Sequence, residues 1–139
     1  MGKSKEKILA KCNAMTKHTL METLQIEYID LGEDYLIGKM PVNPSVHQPD
    51  GVLHGGAMVA LAESVGSAAA HILLDGQKMI VRGIEISANH IKSVKSGEVL
   101  ARAALVHRGR TTQLWDIKIT AQGDLVSSCK LTTISLPRT

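Results

Sequence analysis

The spacing of apolar residues changes several times along the chain, and each change marks a new element. From Ser4 to Met15, Ile8, Leu9, Cys12 and Met15 fall at helical intervals with lysines between them, which predicts a short amphipathic N-terminal helix. Between Leu24 and Val42 the repeat shortens. Leu24, Ile26 and Tyr28 on one side and Leu36 and Met40 on the other flank Gly32-Glu33-Asp34, the pattern of a hairpin. Asn43 to Gly51 carries Pro44, Pro49 and Asp50-Gly51 and reads as an ordered loop. Gly55 to Leu74 predicts one long helix: Ala57, Leu61, Ser64, Ala68 and Ile72 recur at helical spacing, proline is absent, and Asp75-Gly76 closes it. Four strand-like runs follow, Met79 to Val94, Glu98 to Arg108, Thr111 to Ala121 and Leu125 to Leu136, with turns at Ser96-Gly97, Gly109 and Gly123-Asp124. Alternation of the kind seen in Leu114, Asp116, Ile117, Lys118 and Ile119 marks half-buried antiparallel strands.

The order is therefore helix, two strands, long helix, four strands. An antiparallel sheet has one apolar face, and the long helix is the only long element available to cover it. That helix is rich in Ala57, Ala60, Ala62, Gly66, Ser67, Ala68, Ala69 and Ala70, so it can lie close to a sheet on several sides. The simplest solution is an α+β fold in which the sheet curls around the helix. At 139 residues the chain fits one domain, with residues 1–19 as an N-terminal helical extension.

Composition narrows the function. There is no Phe, one Trp (Trp115, expected to pack in a strand) and two Tyr, so the core is aliphatic. The formal charge of +3 favours an anionic ligand. Three aromatic rings make a poor stacking platform for nucleic acid, so a phosphate-bearing small molecule fits better. Cys12 and Cys129 lie far apart with no metal-ligand spacing, and His18, His47, His71 and His107 form no HExxH-type pattern. Neither a zinc site nor a disulfide framework is expected. GxSxG and P-loop motifs are absent, which argues against a serine hydrolase or a nucleotide hydrolase. Lys11 interrupts the apolar stretch a signal peptide would need, and no apolar run approaches the roughly 18 to 20 residues of a membrane span, so a cytoplasmic protein without a membrane partner is expected.

The chemistry concentrates at the start of the long helix. His47-Gln48-Pro49-Asp50-Gly51-Val52-Leu53-His54-Gly55-Gly56 runs directly into it. Free N–H groups at a helix start carry partial positive charge and can hold an anion or a polarised carbonyl oxygen. By itself the glycine pair reads as a flexible entry to the helix, since a glycine pair is a common turn device. Glu63 is harder to set aside, because a carboxylate among Ala60, Leu61, Ala62, Val65 and Gly66 is costly without a partner or a task. The competing reading is an open face on which Glu63, Ser67 and His71 all meet water. Ser67, four residues on, shares the face of Glu63 and could donate to it or to a water. Eight residues of helix separate Gly55 from Glu63 by about 12 Å. If both act on one carbonyl, they must come from different subunits across a two-fold axis.

HQPDGVLHGG followed by LAESVGSAAA, then GIEISANHIKS and HRGRTTQLWDI, resembles the hotdog-fold acyl-CoA thioesterases of the phenylacetate and 4-hydroxybenzoyl-CoA type. The likeness runs from about Leu20 to the end and is strongest to the bacterial 1,4-dihydroxy-2-naphthoyl-CoA hydrolases of menaquinone biosynthesis and their enterobactin-pathway proofreading siblings. It implies a sheet wrapped around a central helix, hydrolysis of an aromatic acyl-CoA, no cofactor, and a homotetramer built from homodimers. It also implies roles. Gln48 helps orient the substrate carbonyl, His54 supports that contact, and Gly55 supplies a backbone N–H. Glu63 of the other subunit acts as nucleophile or general base, with Ser67 beside it. Coenzyme A carries phosphates, so a cationic rim is expected from Arg82, Asn89, His90, Lys92, Arg108, Arg110 and Thr111; such residues at strand ends are otherwise simply solvated. Three rivals stand beside this reading: a thioesterase acting on an acyl carrier protein, a hotdog dehydratase, and a non-catalytic acyl-CoA-binding protein, which would have no need of Glu63.

Overall fold

A computed structural model describes residues 2–75 and 78–139. Gly76, one of the two residues expected to close the long helix, lies outside them. The elements are α1 (Gly2–Ala14), α2 (Leu20–Thr23), β1 (Glu27–Leu31), β2 (Tyr35–Val42), a 3-10 turn (Pro44–Val46), α3 (Gly55–Leu73), β3 (Met79–His90), β4 (Gly97–Arg108), β5 (Thr112–Ala121) and β6 (Asp124–Pro137). The strands form one antiparallel six-stranded sheet in the order β1-β2-β4-β5-β6-β3. Between β2 and β3 the chain crosses the concave face as α3, which packs on β2 through β6. This is the α+β wrap expected from the pattern.

The small residues of α3 make that wrap possible. Leu61, Ala62, Val65, Ala69 and Ala70 are fully buried, and Gly66 lies against Leu131 and Ile117. With 19 residues, α3 alone among the described helices is long and apolar enough to cross a membrane; here the sheet covers its apolar face. The burial pattern of β2, alternating between buried and half-buried at every residue from Tyr35 to Val42, is the two-residue repeat of a strand facing a core on one side.

Three boundaries differ from the expectation. The apolar run from Met79 continues to Val94, but the ladder ends at His90, because the amides of Ile91 and Lys92 both turn toward the carbonyl of Val126 (2.8 and 3.3 Å). Val94 is buried outside any strand, where its carbonyl accepts from Leu53 N–H at 2.7 Å. Leu24 and Ile26 precede β1 rather than belonging to it, and the four-residue α2 was not foreseen. Thr111 falls in the β4–β5 turn, closed by Gly109 N–H donating to the carbonyl of Thr112 at 2.7 Å.

The sheet's edges differ in kind. The β1 edge is covered: the Asn13 side chain of α1 donates to the carbonyl of Tyr28 (2.9 Å) and accepts from its N–H (2.8 Å), as a neighbouring strand would. The other edge is β3, 12 residues long, with no strand beyond it among the described residues.

Candidate active site

The loop before α3 folds back on itself. His47 pairs with Leu53, and the amide of His54 donates to the carbonyl of Val46 at 2.8 Å. Within this turn Gln48 holds a fixed place: its N–H donates to Val52 (2.8 Å), its carbonyl accepts from Gly51 (2.9 Å), and its side-chain oxygen accepts from the amide of Asp50. The side-chain NH2 of Gln48 has no partner among the described residues and remains available to donate.

His54 is the N-cap of α3. Its Nδ1 accepts from Gly56 N–H at 2.8 Å, which assigns the neutral ring's proton to Nε2. The amides of Ala57 and Met58 donate to the His54 carbonyl (3.0 and 3.1 Å). Of the four N–H groups that open the helix, that of Gly55 alone has no partner among the described residues. His90 lies against this glycine: a Cβ on Gly55 would sit 2.9 Å from His90 Nε2. The other ring nitrogen, Nδ1, is 2.8 Å from Ser127 Oγ, so the buried serine sets the orientation of the ring.

Two turns along α3, Glu63 and Ser67 are half-buried and line a pocket of about 480 Å³. Neither side chain has a hydrogen-bond partner among the described residues, and none joins Ser67 to Glu63. This helix face forms one wall of the pocket, which Cys12 of α1, Met15, Leu20 and Met21 of α2, Tyr28 of β1 and Val81 of β3 also line. Glu63 also reaches β3: a Cβ on Gly83 would stand 2.6 Å from Glu63 Oε2, so a larger residue there would collide with the carboxylate. One strand thus touches both ends of the constellation, Gly83 against Glu63 and His90 against Gly55.

Residues 50–128 match the family described as Thioesterase superfamily, and this span covers more than half of the chain. The chain belongs to that superfamily. It is a thioester hydrolase of the hotdog fold, and its relatives bear this out across most of its length. It is 41% identical over 129 residues to the 1,4-dihydroxy-2-naphthoyl-CoA hydrolase of Escherichia coli K12, covering 92% of this chain and 94% of that protein. It is 46% identical over 112 residues to the proofreading thioesterase EntH of Cronobacter turicensis, covering 80% of each. A mutant thioesterase of Pseudomonas aeruginosa superposes with a TM-score of 0.91 at 37% identity, over 94% of both chains.

The thioesterase's anticipated cationic rim divides into groups. His90 lies beside the start of α3, Asn89 precedes it at the end of β3, and Lys92 pairs with Asp124 of β6 at 3.0 Å. Arg108 and Arg110 lie at the opposite end, with Asp75 and Lys78 near the C-terminus of α3, and Thr111 follows in the same turn, its carbonyl accepting from Ser135 N–H at 2.7 Å. Arg82 stands apart on β3, exposed, its guanidinium donating to the carbonyl of Val81 at 2.9 Å. Within one chain these residues do not surround a single point. What the sequence did not reveal is the contribution of α1 and α2 to the pocket, and the apposition of His90 and Gly55; both join segments far apart in sequence that no local spacing links.

Proposed function

We propose that this thioesterase hydrolyses an aromatic acyl-CoA to the free acid and coenzyme A at a site shared between two subunits. The observation that supports it is the placement of β3. This strand is an open edge bearing exposed apolar side chains, Ile84 at 55% and, just past its end, Ile91 at 57%, and such an edge is a template for pairing with another strand. Antiparallel pairing of β3 with its own copy, about a two-fold axis through Ser87, sets residue 90 of one chain opposite the bulge between Gly83 and Glu85 of the other. Gly55 rides with His90 and Glu63 with Gly83. The free amide of one subunit then faces the carboxylate of its partner, which the roughly 12 Å between them on one helix forbids within a single chain. The same operation brings the Arg108–Arg110 turn of one chain toward the Asn89–Lys92 end of the other, gathering the rim for the phosphates of coenzyme A.

In this arrangement the thioester carbonyl accepts from Gly55 N–H, with the Gln48 amide beside it. Negative charge that develops on the carbonyl oxygen is held by donors already in place. Glu63 either takes a proton from a water that attacks the carbonyl carbon, or attacks it itself to form an anhydride that water then hydrolyses to free the acid and the carboxylate; in both routes the C–S bond breaks to release the coenzyme A thiolate. The aliphatic and methionine lining of the pocket suits a flat ring, since thioethers pack well on aromatic edges. The name of the E. coli relative supports an aromatic acyl group, and with it a place in menaquinone biosynthesis. Two such dimers would form the tetramer. Cys12 and Cys129 are free thiols, which agrees with a cytoplasmic setting.

The test is a thiol-release assay with benzoyl-CoA. Glu63→Gln is expected to lower turnover by at least roughly 10²-fold. Gly55→Pro keeps a residue suited to the first helical position but removes its N–H, and is expected to cost about 10²- to 10³-fold. Mixing the two inactive variants under subunit exchange should restore about a quarter of wild-type activity, because half of the dimers are mixed and each has one intact site out of two. Mixtures that stay inactive while exchange is shown to occur would refute the shared site.

A further inference from the structure

We propose that His71 determines specificity by binding a hydroxyl on the far end of the acyl group, a reading that rests on Glu63 as the catalytic carboxylate. Glu63, Ser67 and His71 follow one another at intervals of four on α3, and all three line the 480 Å³ pocket. The lining around them is apolar, from Met15, Leu20, Met21, Ala60, Ala68 and Val81. His71 is half-buried and has no hydrogen-bond partner among the described residues. Beyond it a second cavity of about 220 Å³ runs between α1 and α3, and His71, Cys12 and Met15 line both spaces. An imidazole with unused donor and acceptor nitrogens therefore lines the pocket two turns of α3 beyond Glu63, where the pocket meets the second cavity. A half-buried polar ring without a partner gains most from a ligand atom that completes its hydrogen bonding.

Helix geometry sets the length of the acyl group. His71 lies eight residues beyond Glu63, about 12 Å along the axis. The thioester carbon stands about 3 to 3.5 Å from the attacking group, and a hydroxyl bonded to the imidazole stands about 2.9 Å from it. Depending on the angle of approach, roughly 6 to 9 Å remain between the thioester carbon and the hydroxyl oxygen. With bonds of about 1.4 to 1.5 Å, the para-hydroxyl of a single ring lies at the short limit, about 6 Å from that carbon, whereas a hydroxyl on the far ring of a two-ring acyl group lies about 8 Å away. The ligand class is thus an extended, flat acyl thioester with a hydroxyl remote from the thioester.

The experiment compares thiol release from 6-hydroxy-2-naphthoyl-CoA and 2-naphthoyl-CoA. The wild-type enzyme is expected to favour the hydroxylated substrate about tenfold in kcat/KM, the worth of one neutral hydrogen bond, with the difference carried mainly by KM. His71→Leu should bring the ratio of the two substrates to near one, and His71→Gln, which keeps a donor and an acceptor, should retain part of it. A wild-type ratio near one, a preference that survives His71→Leu, or a loss in that variant equal for both substrates would overturn the assignment while leaving the thioesterase reading intact. Absence of turnover on every acyl-CoA would overturn the parent reading, and this one with it.

Discussion

Cys12 shows how the pocket governs the chemistry of a single residue. Its side chain lines both the 480 Å³ pocket and the cavity beside it, and burial raises its pKa to about 11. A thiol whose pKa is raised stays protonated until the pH nears that value, so at pH 8 the reactive thiolate is about 100-fold scarcer than for a thiol titrating near 9. Alkylation of Cys12 by iodoacetamide at pH 8 is therefore expected to be about 100-fold slower than that of an exposed thiol and to accelerate steadily up to about pH 11. Mass spectrometry of the modified protein measures it, and fast alkylation at pH 8 would show a more open pocket than the structure describes. At this scale part of the site was legible in sequence. Glu63 stood out because a carboxylate on an apolar helix is costly, and Gly55 because a glycine pair led into that helix. Cys12 and His71 read as ordinary helical residues, since their meeting depends on how α1 docks some sixty residues away.

Between residue and fold, hydrogen bonding inside the sheet decides which strands hold. Trp115 is buried at 1% exposure, as expected of a packing residue, but its ring nitrogen also donates to Thr133 Oγ1 at 2.9 Å. Thr133 in turn donates to Gln113 Oε1 at 2.7 Å, and Gln113 Nε2 donates to Ser135 Oγ at 2.9 Å. This chain links β5 to β6 beneath the aliphatic core, and all four residues are buried. Thr133→Val preserves shape and strand preference but leaves the indole N–H and the Gln113 carbonyl without partners. It is expected to destabilise the protein by about 2 kcal/mol. Urea unfolding should show a lower midpoint with an unchanged slope; an unshifted midpoint would mean that the network contributes nothing net. Alternation in sequence located β5 and β6, but it assigns faces, not partners, so a Gln and two hydroxyls on the buried face could not be told from misplaced polar residues. The four-residue α2 escaped for a different reason: it is too short for a helical repeat to register.

At the scale of the whole molecule the two sheet edges carry opposite instructions. Asn13 satisfies the backbone of Tyr28 and so closes the β1 edge against further pairing. The β3 edge has no such cover, and from Ile84 onward it presents exposed Ile84, Glu85, Ser87, Ala88, Asn89 and His90. Ser87 lies on the proposed two-fold axis, so any residue placed there meets its own copy. Ser87→Lys would set like charges side by side where the strands pair, an arrangement that destabilises a cross-strand contact. Within one chain the position is exposed and its ladder with β6 is undisturbed, so each subunit should still fold. The expected result is a monomer by sedimentation, with native circular dichroism and thioesterase activity lowered by at least roughly 10²-fold, the scale for loss of a positioned acid or base. The coupling is the point: a packing contact would lose only stability on dissociation, whereas a shared site loses its carboxylate. A monomeric Ser87→Lys protein with full activity would separate Glu63 from the partner's Gly55 and return the chemistry to a single chain.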